Sequence, residues 1–183
     1  MKFKIVSDSS SNIFTWDKVP YAAVPLKILS TEKEYVDNAA LDVAGMVNDL
    51  KTVKGATKTS CPSTGDWLDA FDGADCIFAI TLTSNLSGCY NSACIARDSY
   101  IEEHPDAKVY VVDSYSTGGE MHLIIEKLTE LITNGKSFNE IVDEIEKYKD
   151  TTHLLFSLQS LTNLARNGRV NPAVAAIAGV LGI

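Results

Sequence analysis

The sequence predicts an α/β protein, a largely parallel sheet flanked by helices. Three observations predict it. The stretches 75–82 and 108–113 carry continuous apolar runs, Ile77-Phe78-Ala79-Ile80 and Val109-Tyr110-Val111-Val112, as strands covered on both faces do. Strand candidates alternate with helix candidates along the chain, the order of a parallel layer structure. The candidate strand ends carry Ser7-Asp8-Ser9, Thr83-Ser84 and Asp113-Ser114, small hydroxyls and Asp with no Lys or Arg, where ligands of such sheets sit.

The elements follow in order. Residues 2–7 alternate and then turn apolar, a strand closed by the turn formers Asp8-Ser9-Ser10-Ser11-Asn12. Residues 21–29 read as a second extended piece, with Pro25 pointing to an edge or a bulge. Leu41, Gly45, Met46, Val47 and Leu50 fit a short amphipathic helix with Asp42 in its first turn, and a polar stretch, 51–63, follows. Ser63-Thr64-Gly65-Asp66 has capping-box spacing, with Asp for Glu, and opens a helix through Trp67, Leu68, Ala70 and Phe71. After the strand at 75–82, a Ser/Gly turn at 84–88 leads into a helix over 90–100. After the strand at 108–113 come two apolar stripes. Met121, Ile124, Ile125, Leu128, Leu131 and Ile132 form one; Phe138, Ile141, Val142, Ile145 and Tyr148 form the other, with Asn134-Gly135 as the stop between them. Residues 152–157 read as a strand and 161–166 as a helical turn. Asn171-Pro172 caps a last Ala-rich apolar helix over 173–183.

Composition narrows the function. Apolar residues make 45% and charged residues 22% of 183, as in ordinary globular chains. With 16 Lys and Arg against 24 Asp and Glu, the net charge is −8. No basic cluster offers itself to a polyanion, so nucleic acid and anionic membrane surfaces are not expected partners. No apolar run reaches the roughly 20 residues that span a bilayer, and polar residues come too early for a signal peptide. The expected address is the cytoplasm. Cys61, Cys76, Cys89 and Cys94 include no C-x-x-C pair and are expected as free thiols. His104, His122 and His153 lack metal-ligand spacing. Dinucleotide, P-loop and nucleophile-elbow fingerprints are absent.

Hydroxyl density is the feature that remains. Lys58-Thr59-Ser60-Cys61-Pro62-Ser63 and the run from Thr81 to Ala93 are both rich in Ser and Thr, and both lead into helix N-termini. Helix N-termini offer unpaired N–H groups and a partial positive charge, so hydroxyls beside them form a neutral cradle for a small anion such as a carboxylate. Ser63 reads as a cap alone. Asp8 and Asp113 read first as turn and cap residues and, alternatively, as the carboxylates of a small-molecule phosphoryl-transfer enzyme. Arg169 after Gly168 faces a ligand, a partner or only solvent. Trp16 and Trp67 read as packing residues.

Several motifs then follow in order: Ile5-Val6-Ser7-Asp8-Ser9-Ser10, Val24-Pro25-Leu26, Lys58-Thr59-Ser60-x-Pro62-Ser63, Leu82-Thr83-Ser84-x-Leu86-Ser87-Gly88-x-Tyr90-x-Ser92-Ala93, Val112-Asp113-Ser114, and Leu161-x-x-Leu164-x-x-x-Gly168-Arg169-Val170. Together they resemble the DegV family of bacterial fatty-acid-binding proteins. The resemblance implies the fold of that family's N-terminal domain, with no enzymatic activity and no cofactor. It implies one long-chain fatty acid as ligand, its tail in an apolar tunnel and its carboxylate on Thr59 and Ser87. Amides or hydroxyls of Ser60, Ser84 and Gly88 are expected to assist beside them. It also implies presentation of the acid to a separate fatty-acid kinase for phospholipid synthesis. Cys89 stands where the family usually has Thr, and Cys61 where it often has Gln.

Family members continue after the Gly-Arg-Val segment into a second α/β domain, which here is absent or only begun. Residues 1–157 are therefore expected as the head-group domain and 158–183 as the connecting helix region, in a shortened chain. A further alternative is a truncated protein that binds nothing and associates through its last helix. Val174, Ile177, Val180, Leu181 and Ile183 would make that helix a homo-oligomer contact.

Overall fold

The computed structural model describes residues 1–53, 57–158, 160–171, 173, 174 and 176. They fall into two compact units. The larger holds Met1–Leu26, Asp37–Ala39 and Cys61–Leu154; the smaller holds Lys27–Val36, Ala40–Ser60 and Leu155–Ile183.

The larger unit is built on a four-stranded parallel sheet. Its strands are β1 (Phe3–Asp8), β2 (Tyr21–Val24), β6 (Cys76–Thr81) and β7 (Lys108–Asp113), in the order β2-β1-β6-β7. Alternation assigns the side chains to two cores. Ile5, Phe78, Ile80 and Val112 face α4 (Gly119–Thr133) and α5 (Phe138–Lys149), where Met121, Ile124, Ile125, Leu128, Ile141 and Ile145 meet them. Val6, Ile77, Ala79, Val109 and Val111 face α2 (Thr64–Phe71) and α3 (Cys89–Glu103), against Trp67, Phe71, Ala93, Ala96 and Tyr100. This is why β6 is buried at every position. Each large aliphatic side chain buried here contributes about 1.5–3 kcal/mol of transfer free energy. Register brings the carboxyl ends level, with Ser7 beside Ile80 and Thr81 beside Asp113.

Local signals set the helix ends. The Ser63–Asp66 capping box forms as the spacing predicts, Asp66 N–H donating to Ser63 Oγ at 3.2 Å and Ser63 N–H to Asp66 Oδ2 at 2.7 Å. The stop at Asn134-Gly135 is a Schellman turn. Gly135 takes φ 73°, its N–H donates to the Ile132 carbonyl, and the Lys136 N–H donates to that of Leu131.

The smaller unit contains a three-stranded antiparallel sheet of β3 (Lys27–Leu29), β4 (Glu34–Val36) and β5 (Lys58–Ser60), in the order β4-β3-β5, together with α1 (Val43–Thr52) and α6 (Thr162–Arg166). Asp42 caps α1 by accepting from the Gly45 N–H at 2.9 Å. A Cβ at position 45 would collide with that carboxylate. No described residue of this unit is buried.

Three sequence expectations change. The extended piece at 21–29 breaks at Pro25-Leu26 into β2, an edge strand of the parallel sheet, and β3 of the antiparallel one. The polar stretch 51–63 contains β5, whose residues Lys58-Thr59-Ser60 lack the apolar alternation that marks a half-buried strand. Residues 152–157 form no strand, and Leu155 and Phe156 are 93% and 71% exposed. An apolar run asks for burial, whereas a strand also needs a partner, and among the described residues the parallel sheet ends at β7. Of the last helix expected at 173–183, residues 175 and 177–183 lie outside the described residues.

Candidate functional site

Three loops leave the carboxyl ends of β1, β6 and β7, and hydrogen bonds knit them together. Asp8 sits at the centre. Its Oδ1 accepts from the Ser10 N–H at 3.0 Å and the Ser10 hydroxyl at 2.5 Å, and its Oδ2 accepts from the Leu82 N–H at 2.7 Å. It thereby caps the 3-10 turn Ser9–Ser11 and ties it to the end of β6. Burial pushes the Asp8 carboxyl up, opposed by the bonds from Ser10 and Leu82. Asp113 does the same work two strands over, accepting from the Ser84 and Tyr115 N–H groups at 3.1 Å each. The third loop closes on the first through the Gly118 N–H, which donates to the Ser10 carbonyl at 2.8 Å. Both carboxylates are thus engaged as turn and loop anchors. Among the described residues no group of three His, Cys, Asp or Glu side chains could hold a metal ion.

The loop after β6 presents the hydroxyl of Ser87. Leu86 and Ser87 donate their N–H groups to the Thr83 carbonyl, winding the loop into a turn that delivers Ser87 to the start of α3. Ser87 Oγ accepts from the Cys89 N–H at 3.3 Å and donates to Cys89 Sγ at 3.2 Å. The N–H groups of Gly88, Tyr90 and Asn91 have no protein acceptor among the described residues. A 15-residue helix adds its dipole there. Ser87 is half-buried, and Ser84 and Gly88 are exposed. Ser84 contributes less than its sequence position suggests, because its N–H is spent on Asp113. Burial, with the Asp8 charge beside it, pushes the Cys89 thiol up to about 12. Cys61 Sγ lies 3.5 Å from where a Cβ on Gly88 would stand, so Cys61 lines the same helix start.

Thr59, Ser60 and Arg169 belong to the smaller unit. Thr59 lies on β5 opposite Ile28. Arg169 Nη2 donates to Thr59 Oγ1 at 2.9 Å. A Schellman turn sets Arg169: Gly168 takes φ 71°, its N–H donates to the Ala165 carbonyl, and the Arg169 N–H donates to that of Leu164. Asn163 and Asn167 reinforce the link, donating to Thr57 Oγ1 at 3.1 Å and to the Thr57 carbonyl at 2.8 Å. Neither Asn carried a signal in the sequence beyond being a polar residue on a short helix. Cys89 was legible only as a departure from the family pattern, not as the partner of Ser87.

A groove of about 430 Å³ lies elsewhere in the larger unit, lined by Met1, Ala74, Asp75, His104, Pro105, Asp106 and Ala107. These residues precede the strands, at the amino ends of the sheet. Two carboxylates in the lining repel an acidic head group, so hydroxyls and helix N–H groups outweigh volume in choosing the site.

Comparison with known proteins shows the family and the fold. A DegV domain-containing protein of Streptococcus gordonii is 43% identical over 184 residues, covering 98% of this chain; the chain spans 66% of that relative's length. A DegV family protein from Eubacterium eligens, crystallised with heptadecanoic acid, superposes with a TM-score of 0.93 at 46% identity, over 98% of this chain and 65% of that one. The Streptococcus pneumoniae Fatty Acid Kinase B3 protein, loaded with linoleic acid, superposes with a TM-score of 0.95 at 40% identity, over 99% and 66%. The family described as "Uncharacterised protein, DegV family" matches residues 2–183, so the chain belongs to the DegV family.

Proposed function

We propose that the protein is a carrier of a long-chain fatty acid, with Thr59 and Ser87 holding the carboxylate and an apolar tunnel taking the tail. The observation that carries this reading is the start of α3. There a half-buried hydroxyl and three N–H groups with no protein acceptor among the described residues stand together at the carboxyl end of a parallel sheet. A carboxylate satisfies such donors with charge-assisted bonds of about 1.5–3 kcal/mol each. The tail supplies most of the affinity, at roughly 0.8 kcal/mol per buried CH₂. Relatives at 46% and 40% identity crystallised with heptadecanoic and linoleic acid support the choice of ligand.

In this reading the chain binds rather than catalyses, needs no cofactor and works in the cytoplasm. It presents its acid to a separate fatty-acid kinase, a role supported by its likeness to the Streptococcus pneumoniae Fatty Acid Kinase B3 protein. Residues 1–157 form the head-group domain, with Ser60, Gly88 and Arg169 supporting the two hydroxyls. Residues 158–183 form the connecting region of this reading, and the apolar sequence at 173–183 is its candidate for self-association. The phosphoryl-transfer alternative draws no support from Asp8 and Asp113, which are occupied by backbone N–H groups.

Native mass spectrometry of the purified protein tests the reading. The expected result is a mass increment of one acyl chain that organic solvent removes and added hexadecanoic acid restores. Protein that is purified empty and takes up no hexadecanoic acid overturns it.

A further inference from the structure

Ser87 and Cys89 hold each other twice, and the two bonds differ in strength. The Cys89 N–H fixes the position of Ser87 Oγ at 3.3 Å, while the Ser87 proton points to Cys89 Sγ at 3.2 Å. Sulfur is a weak acceptor. The thiol is fully buried at the first position of α3, where its sulfur accepts from Ser87.

We propose that Cys89 is a positioning residue for the head-group hydroxyl: it holds the Ser87 proton on a poor acceptor, from which a carboxylate takes it at little cost. This rests on the carrier reading above. The Ser87 oxygen stays where the backbone N–H fixes it, and only its proton rotates. A carboxylate accepts that proton in a charge-assisted bond, stronger than the one lost. A hydroxyl at position 89 would be a better acceptor and would compete with the ligand. An alanine would keep the N–H that fixes Ser87 and would offer no competing acceptor.

The test compares hexadecanoic acid with hexadecanol, whose tails are identical, in the wild type, Cys89→Ser and Cys89→Ala. The alcohol-to-acid ratio of Kd values isolates the head group from tail packing and from changes in stability. We expect that ratio to fall about 5-fold in Cys89→Ser, the scale of one neutral hydrogen bond, and to stay within about 2-fold of wild type in Cys89→Ala. The infrared S–H stretch of Cys89, identified by its loss in both variants, should shift when hexadecanoic acid binds. An unchanged ratio in Cys89→Ser, an equal fall in Cys89→Ala, or an S–H band that the acid leaves unmoved overturns the proposal while leaving the carrier intact. A wild type that binds no hexadecanoic acid overturns the carrier reading and this inference with it.

Discussion

Arg169 Nη2 donates a hydrogen bond to Thr59 Oγ1 at 2.9 Å, joining residues 110 positions apart in the chain. The Thr59 oxygen is therefore an acceptor toward a cation, and its proton is left to be given elsewhere. Replacing Arg169 by Lys keeps a charge but loses the planar fork that reaches the hydroxyl. Arg169→Lys and Thr59→Val are each expected to weaken hexadecanoic acid binding by about 3- to 10-fold, the scale of one hydrogen bond. Isothermal titration checks this, and wild-type affinity in Thr59→Val would remove Thr59 from the site.

A side chain at Gly135 should be destabilising for a reason that is purely conformational. No described atom lies within 4 Å of the Cβ it lacks, yet its φ is 73°. Gly135→Ala is expected to cost about 1 kcal/mol and Gly135→Asn less, because Asn accepts the left-handed conformation more readily. Urea midpoints of the two variants give the comparison, and equal midpoints would contradict it.

Asp8 should show its burial in the pH dependence of stability. Its carboxyl is raised in the folded state, so its contribution is complete below the ordinary carboxylate range and declines as pH rises through the raised value. Asp8→Asn cannot titrate and lacks that decline. The stability advantage of wild type over Asp8→Asn is therefore expected to shrink as pH rises above the ordinary carboxylate range. Asp8→Ala strands the Leu82 and Ser10 donors and should cost about 1–3 kcal/mol for each buried donor left unpaired. Urea titrations across the pH range read both effects.

The four cysteines should divide by exposure. Cys76 and Cys89 are buried, and burial pushes both thiols up, Cys89 to about 12. Cys61 and Cys94 are half-buried. At pH 8 iodoacetamide should modify Cys61 and Cys94 first, because the thiolate is the reacting form. Peptide mapping after a timed reaction shows the order, and early labelling of Cys89 would be inconsistent with its burial.

The parallel sheet was legible because its strands are apolar on both faces, a pattern that β6 and β7 carry almost without interruption. The capping box at Ser63 and the stop at Gly135 were legible because each depends on a few adjacent residues. The antiparallel sheet was not, since β5 is Lys-Thr-Ser and β4 is Glu-Tyr-Val, with little apolar surface to mark either. At the site, the hydroxyls of Ser87 and Thr59 stood out by density and motif. Their partners did not. Arg169 meets Thr59 only through folding, and Cys89 holds Ser87 through a thiol that in sequence looks like a small core residue.

Both tryptophans, Trp16 and Trp67, lie in the larger unit, while the smaller one has no described buried residue. Intrinsic indole emission is therefore an optical probe of one unit only. The hydrogen bonds of β3, β4 and β5 have little packing above them and can open at low free energy without changing that emission. A single sharp fluorescence transition would thus be no evidence of all-or-none melting in this chain. Amide hydrogen exchange, which reports on individual backbone N–H groups, is expected to show the smaller unit opening before the larger one.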